Sequence, residues 1–246
     1  MMEPTLSFCR RKIRDTGSYI YRGLVYPFVK MAMERRCDSI IGKGAYLYKG
    51  CFLEGRDYIG DKADLANVRI GRSTYIGPQS NISNVRIGRY CCIAGLETAE
   101  GRHPVKGECL AVHPAFYSTS AQYGYTYVRE DSFEEMKYAD SQNGYSIVIG
   151  NDVWIGRGVM ILDGITVGDG AVVGANSLVT SDIEPYAIYA GSPARKVGER
   201  FDAKTAEKLL KLRWWDKDEK WIASNAERFA NNTENSAVDA LLKEKE

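Results

Sequence analysis

Histidine is nearly absent from this chain, with two in 246 residues. A three-histidine zinc site therefore cannot be assembled within one copy, and no metal is expected. An excess of one charge is missing too. With 33 basic and 32 acidic side chains the net charge is +1, so no whole-molecule field draws in nucleic acid, and that class of partner is disfavoured. No run of about 18 apolar residues offers a membrane span. The opening MMEPTLSFCRRKIRD lacks the apolar stretch of a secretion signal. Six cysteines occur, Cys9, Cys37, Cys51, Cys91, Cys92 and Cys109, but no Cys-x-x-Cys pair. A chain this long needs no covalent staples, so reduced thiols in a cytoplasmic protein are expected.

What is present is a beat of six. Ile149, Ile155, Ile161, Val167, Val173, Val179 and Pro185 follow one another at that step without a slip. Six is the period of neither a helix nor an ordinary strand, so the pattern points to a repeat in which no unit buries its own core. The register also runs upstream through Ile41, Leu47, Leu53, Ile59 and Leu65, then Ile70, Ile76 and Ile82, then Ile87 and Ile93. Two steps are one residue short, and both lead into the hexamer NVRIGR, at 67–72 and 84–89.

Glycine follows the aliphatic residue at Gly42, Gly60, Gly71, Gly77, Gly88, Gly150, Gly156, Gly168 and Gly174. A sharp bend every six residues needs positive φ or a missing Cβ, and glycine supplies both. Four places after the aliphatic stands a second, often small residue, including Ala45, Cys51, Ala63, Thr74, Ser80, Cys91 and Ala171, suited to a narrow interior. Three short strands per turn, stacked with main-chain hydrogen bonds along the axis, predict an all-β triangular prism whose ends must be capped. The expected organisation is a helical cap over 1–40, the coil over 41–196 with an inserted loop at 97–145, and C-terminal helices over 197–246.

Residues 11–37 read as a helix carrying Ile13, Tyr21, Leu24, Phe28 and Met31 among basic side chains. A cap on the first coil, or packing on another subunit, is preferred here over contact with an anionic membrane, since scattered bases usually form a solvated face. Beyond Pro193, amphipathic helices are expected at 203–213 and 216–229, with Trp214 and Trp215 between them. The polar end NNTENSAVDALLKEKE is expected to fray.

Chemistry is sought where the beat is interrupted, because a long loop inside a compact repeat is usually functional. Both histidines lie there, His103 in GRHPVKG and His113 in AVHPAFYS. An imidazole ordinarily titrates near neutrality, so it can take a proton and return it. Glu97, Glu100 and Glu108 are each candidates to orient His103.

The stretches IGRYCCIAG (87–95), RHPVKGECLAVHPAFYS (102–118), GNDVWIG (150–156), PYAIYAGSPARKVGERF (185–201) and LLKLRWWD (209–216) resemble the hexapeptide-repeat acyltransferases, and within them the branch of xenobiotic acetyltransferases and related sugar O-acetyltransferases. The resemblance implies a homotrimer of left-handed parallel β-helices with acetyl-CoA in the groove between adjacent prisms. It makes His103 the general base that deprotonates an acceptor hydroxyl for attack on the thioester, with no covalent intermediate. Arg102 stands where the family usually has asparagine. His113, Phe116 and Tyr117 are expected to shape the acceptor pocket, with local loop packing as the competing reading of His113. The resemblance places the donor along Trp154, Gly156, Gly174, Ala175 and Ser177, with Arg195 and Lys196 at its phosphates. The implied acceptor is a hydroxyl of a sugar or surface-polysaccharide precursor. Xenobiotic O-acetylation and a non-catalytic binding scaffold remain as alternatives.

Overall fold

The computed structural model describes residues 21–231 and 235–243; the part of the expected N-terminal helix before Tyr21 lies outside them, as does Cys9. A parallel β-helix forms the body. Its strands, mostly two to four residues long, stack into three flat faces. Face A carries the outward column Ile40, Tyr58, Tyr75, Cys92, Trp154, Val172 and Ile188. Face B carries Tyr46, Asp64, Asn81, Glu97, Met160 and Leu178. Face C carries Phe52, Arg69, Arg86, Val148 and Thr166. The beat residues turn inward and form one continuous core, from Ile41 to Val179.

Each coil takes 18 residues where Ile41 pairs with Ile59 and Ile149 with Val167. It takes 17 where Leu53 pairs with Ile70 and Ile70 with Ile87. The missing residue comes out of the edge between faces B and C. There Asn67 and Asn84 adopt left-handed backbone, at φ 53° and 52°, which asparagine tolerates better than most residues. Asn67 Nδ2 donates to Asn84 Oδ1 at 2.9 Å, and Asn84 Nδ2 donates to Glu100 Oε2 at 2.9 Å. The repeated NVRIGR is therefore a side-chain ladder as well as a short corner.

The glycines after the aliphatic residues serve by lacking Cβ. None of them has positive φ. A Cβ on Gly77 would lie 2.0 Å from the Ala94 carbonyl oxygen, and one on Gly60 would lie 2.4 Å from the Pro78 nitrogen. The left-handed residue comes two places later, as at Lys62, Gln79, Tyr90, Asp152 and Asn176. Six-residue spacing thus combines an inward aliphatic, a corner the next coil presses against, and one αL residue that completes the bend.

The last step departs from the expected beat. Pro185 is exposed, and Ile183 takes the interior place, bridging to Val167. The final coil is two residues shorter because it runs into a hairpin, Ala187–Gly191 against Ala194–Glu199, that closes this end.

The other end is closed by helix α1, Tyr26–Cys37, entered through a π-helical turn at Tyr21–Val25. Backbone groups of the first coil that no lower coil can satisfy are met by its side chains. Glu34 accepts from Ile41 N at 2.9 Å, the Tyr26 hydroxyl accepts from Leu47 N at 2.8 Å, and Lys30 donates to Gly42 O at 2.9 Å.

The C-terminal region has more helices than expected. α2 spans Ala203–Leu212, with Asp202 as its N-cap. The single helix expected at 216–229 is instead a 3₁₀ turn at Trp214–Asp216, then α3 at Glu219–Ser224 and α4 at Ala226–Asn231. The stretch expected to fray contains α5, Asn235–Lys243. Its Val238 and Leu241 are buried, and Val238 packs with Tyr186 and Leu209. Two apolar side chains per turn on one face outweigh a polar composition. These helices lie along the edge between faces C and A, held by Arg89 to Asp216, Arg56 to Glu219 and Arg200 to Asp152.

Candidate functional site

The inserted loop leaves face B after the strand Leu96–Ala99 and returns on face C at Ile147–Ile149. It therefore stands on the edge between those faces. Glu100 fastens its stem. Besides Asn84, it accepts from the Ser83 hydroxyl at 2.8 Å and is bonded by the Ser146 hydroxyl. Ser146 N also donates to Asn84 O at 2.8 Å, so both ends of the loop meet on one corner residue.

His103 is exposed, and its Nδ1 lies 2.8 Å from the Val112 carbonyl oxygen and 2.7 Å from the Tyr117 hydroxyl. A carbonyl can only accept, so the bond to Val112 requires the proton on Nδ1. Nε2 then keeps its lone pair free on an exposed ring, which is the form a general base needs. None of Glu97, Glu100 and Glu108 orients this histidine. Glu100 is committed to the stem, Glu108 accepts from Lys106 N at 2.7 Å, and Glu97 points outward from face B. A backbone carbonyl leaves no signal in sequence, which is why the partner was not legible there.

Tyr117, expected to line the acceptor pocket, has no accessible surface and instead holds His103. Burial pushes its phenol upward, with Glu135 adding to the shift, so the hydroxyl keeps its proton. Phe133 packs edge-on against its ring at 5.5 Å. Arg102 does not project freely. It donates to the Glu134 carbonyl at 2.8 Å and lies 5.4 Å from the Phe133 ring, so it braces the segment that covers Tyr117.

His113 caps the 3₁₀ turn Pro114–Phe116 by accepting from Ala115 N at 3.2 Å, which is the loop-packing role. Its ring stacks on Tyr125 at 6.0 Å and 15° and leans on Tyr123. Tyr125 touches Tyr127, which in turn packs on Phe116 at 5.2 Å. Phe116, Tyr123, Tyr125 and Tyr127 are all exposed, so the loop presents a continuous aromatic platform starting one residue beyond the carbonyl that holds His103.

The expected donor residues gather on a different edge, between faces A and B. Trp154 projects from face A and is 52% exposed. A Cβ on Gly156 would meet Ala175 N at 2.5 Å, and one on Gly174 would meet Ala190 Cβ at 3.0 Å. Ala190 pairs with Arg195 across the closing hairpin. Trp154, Ala175 and Arg195 thus form one accessible row. Arg195 is exposed and, among the described residues, donates to the carbonyl of Ala194 at 2.8 Å. Lys196 is paired with Glu199 at 2.8 Å, a bond that raises its pKa. Two expected members do not reach a ligand from here. Ser177 is buried, donating to Gly174 O at 2.7 Å and accepting from Gly191 N at 3.0 Å, and Gly156 is buried beneath the next coil.

Cys37, Cys51, Cys91, Cys92 and Cys109 are free. Cys91 is wholly buried, and burial pushes its thiol to about 12, so it is inert filling.

Residues 146–181 match the family model described as bacterial transferase hexapeptide (six repeats). A chloramphenicol acetyltransferase of Klebsiella aerogenes is 41% identical over 100 residues, 41% of this chain and 48% of that protein. A probable macrolide acetyltransferase of Lysinibacillus sphaericus is 50% identical over 80 residues, 32% of this chain and 44% of that protein. The chain thus spans about half the length of the relatives it matches. Among solved structures, a galactoside acetyltransferase in complex with coenzyme A is 25% identical, covering 82% of this chain and 85% of that one, with a TM-score of 0.37.

Proposed function

We propose, from the match of residues 146–181 to the bacterial transferase hexapeptide model and from the acetyltransferases among the relatives, that this chain is an O-acetyltransferase using acetyl-CoA. The observation that carries the reading is the Val112 carbonyl at 2.8 Å from Nδ1 of an exposed histidine, which leaves Nε2 as the accepting atom. In the proposed step Nε2 of His103 takes the proton of an acceptor hydroxyl as its oxygen bonds to the thioester carbonyl carbon. The tetrahedral intermediate then collapses, the carbon–sulfur bond breaks, and the proton returns to the departing thiolate. No covalent enzyme intermediate is needed. General base catalysis of this kind contributes about 10²- to 10⁴-fold.

His103 stands on the edge between faces B and C, whereas Trp154, Ala175 and Arg195 lie along the edge between faces A and B. The whole of face B separates them, so a second copy of the chain, set beside the first, is required to bring a donor edge to a histidine. A homotrimer meets this need by pairing unlike edges around a closed ring. Trp154 would flank the extended pantetheine, Ala175 would allow close approach, and Arg195 would meet the phosphates as a charge-assisted donor.

For the acceptor we propose a sugar hydroxyl of a surface-polysaccharide precursor, supported by the platform of Phe116, Tyr123, Tyr125 and Tyr127, on which a pyranose ring can stack. Xenobiotic O-acetylation is the second reading, favoured by the chloramphenicol and macrolide acetyltransferases among the relatives. The test is release of free CoA thiol with oligosaccharides, nucleotide sugars, chloramphenicol or a macrolide as acceptor, in wild type and His103→Ala. Turnover on sugars, lost in the variant, supports the proposal. Turnover confined to the drugs replaces the acceptor, and CoA release that His103→Ala leaves intact overturns the mechanism.

A further inference from the structure

The helical segment from Tyr21 to Cys37, the π-helical turn with α1, has two sets of apolar side chains, and the fold uses only one. Tyr26, Met33 and Cys37 face the first coil and pack on the core or bond its backbone. Tyr21 and Leu24 of the π-helical turn and Phe28 and Met31 of α1 make up the second, outer set. Leu24 and Phe28 are 68% and 69% exposed, and Tyr21 and Met31 are also exposed.

The position of this row decides what can cover it. Because the inner row closes the open end of the prism, the outer row faces along the axis, beyond that end. A copy that brought a donor edge to His103 would stand beside the prism, not under it. Such a copy leaves the outer row uncovered.

Charge identifies the occupant. Residues 1–36 hold eight basic side chains, Arg10, Arg11, Lys12, Arg14, Arg22, Lys30, Arg35 and Arg36, against Glu3, Asp15 and Glu34. That is a surplus of five positive charges in a chain whose total is +1. Arg35 and Arg36 are exposed in the last turn of α1. A short row of large apolar side chains with the exposed Arg35 and Arg36 beside it, in a segment rich in basic residues, fits the interface of an anionic bilayer, where the apolar row enters the acyl boundary and the bases meet lipid phosphates. No helix among the described residues is long and apolar enough to cross a membrane, so the contact is peripheral.

We infer that this outer row, with Arg35 and Arg36 beside it, docks the protein end-on to an anionic lipid surface. The cap preferred from sequence is present on the inner side of the helix; the membrane contact, not preferred there, is added on account of the exposed outer side chains. The inference rests on the side-by-side arrangement of the transferase reading only where it sets aside a second copy as the occupant. The test uses the full chain and flotation on vesicles of phosphatidylcholine alone or mixed equally with phosphatidylglycerol. Wild type is expected to float with the mixed vesicles only. Leu24→Glu/Phe28→Glu, on side chains that make no core contact, is expected to cut the bound fraction about tenfold with an unchanged melting temperature. Arg35→Gln/Arg36→Gln is expected to weaken binding and its salt sensitivity together. Absence of wild-type flotation, or flotation unaffected by either variant, overturns the inference. So does a change of oligomeric state by sedimentation in the glutamate variant without loss of flotation, which would assign the row to another copy.

Discussion

The Tyr117 hydroxyl lies 2.7 Å from Nδ1 of His103, on a ring with no accessible surface. Paired with the Val112 carbonyl, it holds the imidazole from behind and leaves the opposite nitrogen facing out. A buried phenol that keeps its proton is a rigid support, because Phe133 and the loop backbone fix its ring.

Tyr117→Phe keeps that ring and removes one of the two partners of Nδ1. We expect kcat for acetyl transfer to fall about tenfold, the value of one hydrogen bond at a reacting group. KM and the melting temperature should stay near wild type. A rise in KM with kcat unchanged would return Tyr117 to the acceptor pocket.

Gly77→Ala places a Cβ 2.0 Å from the Ala94 carbonyl oxygen, a backbone atom of the next coil. The coils must separate there, and a loss of more than about 2 kcal/mol is expected in urea unfolding. Gly23→Ala, with nothing within 4 Å, is the control and should be neutral. Equal midpoints for the two would refute the close stacking of corners.

Asp57 is buried near the start of the coil, accepting from Gly55 N at 3.0 Å and Thr74 N at 3.1 Å, and burial raises its carboxyl from 3.8 to about 7. The unfolded chain thus releases this proton first as pH rises. Stability from this group is complete below 3.8, declines between 3.8 and about 7, and is level above. Asp57→Asn cannot ionise and should abolish that decline in urea midpoints measured across the window. A slope that survives the substitution assigns the dependence to another group.

Arg89 joins the coil to the C-terminal helices, donating through Nε to Glu54 at 2.8 Å and through Nη1 to Asp216 at 2.8 Å. Beside it Tyr90 packs on Trp214 at 4.8 Å. Arg89→Ala should loosen the helices by about 1 kcal/mol, since these partners are part-exposed and screened. Tryptophan emission should shift and the helices should become protease-sensitive while the coil stays intact. High salt should mimic the variant in wild type, and a salt-indifferent cap would show that apolar packing alone holds it.

The prism was legible in the chain because a period of six admits few folds, and each position in the hexamer has one steric job. Ile41, Leu47 and Leu53 declare their inward direction by spacing alone, and NVRIGR marks the shortened coils by repetition. His103 stood out because histidine is scarce and the beat breaks around it. The rest depended on contacts between residues far apart in sequence. A carbonyl at Val112, a phenol turned inward at Tyr117 and a Glu100 spent on an asparagine ladder have no sequence signature, since each partner is chosen by how the loop closes. Spacing also cannot separate the two apolar sets between Tyr21 and Cys37, because only the end of the prism tells which is covered. Local periodicity thus determined the faces and edges, while tertiary packing decided which side chain on each edge stays free to meet a ligand.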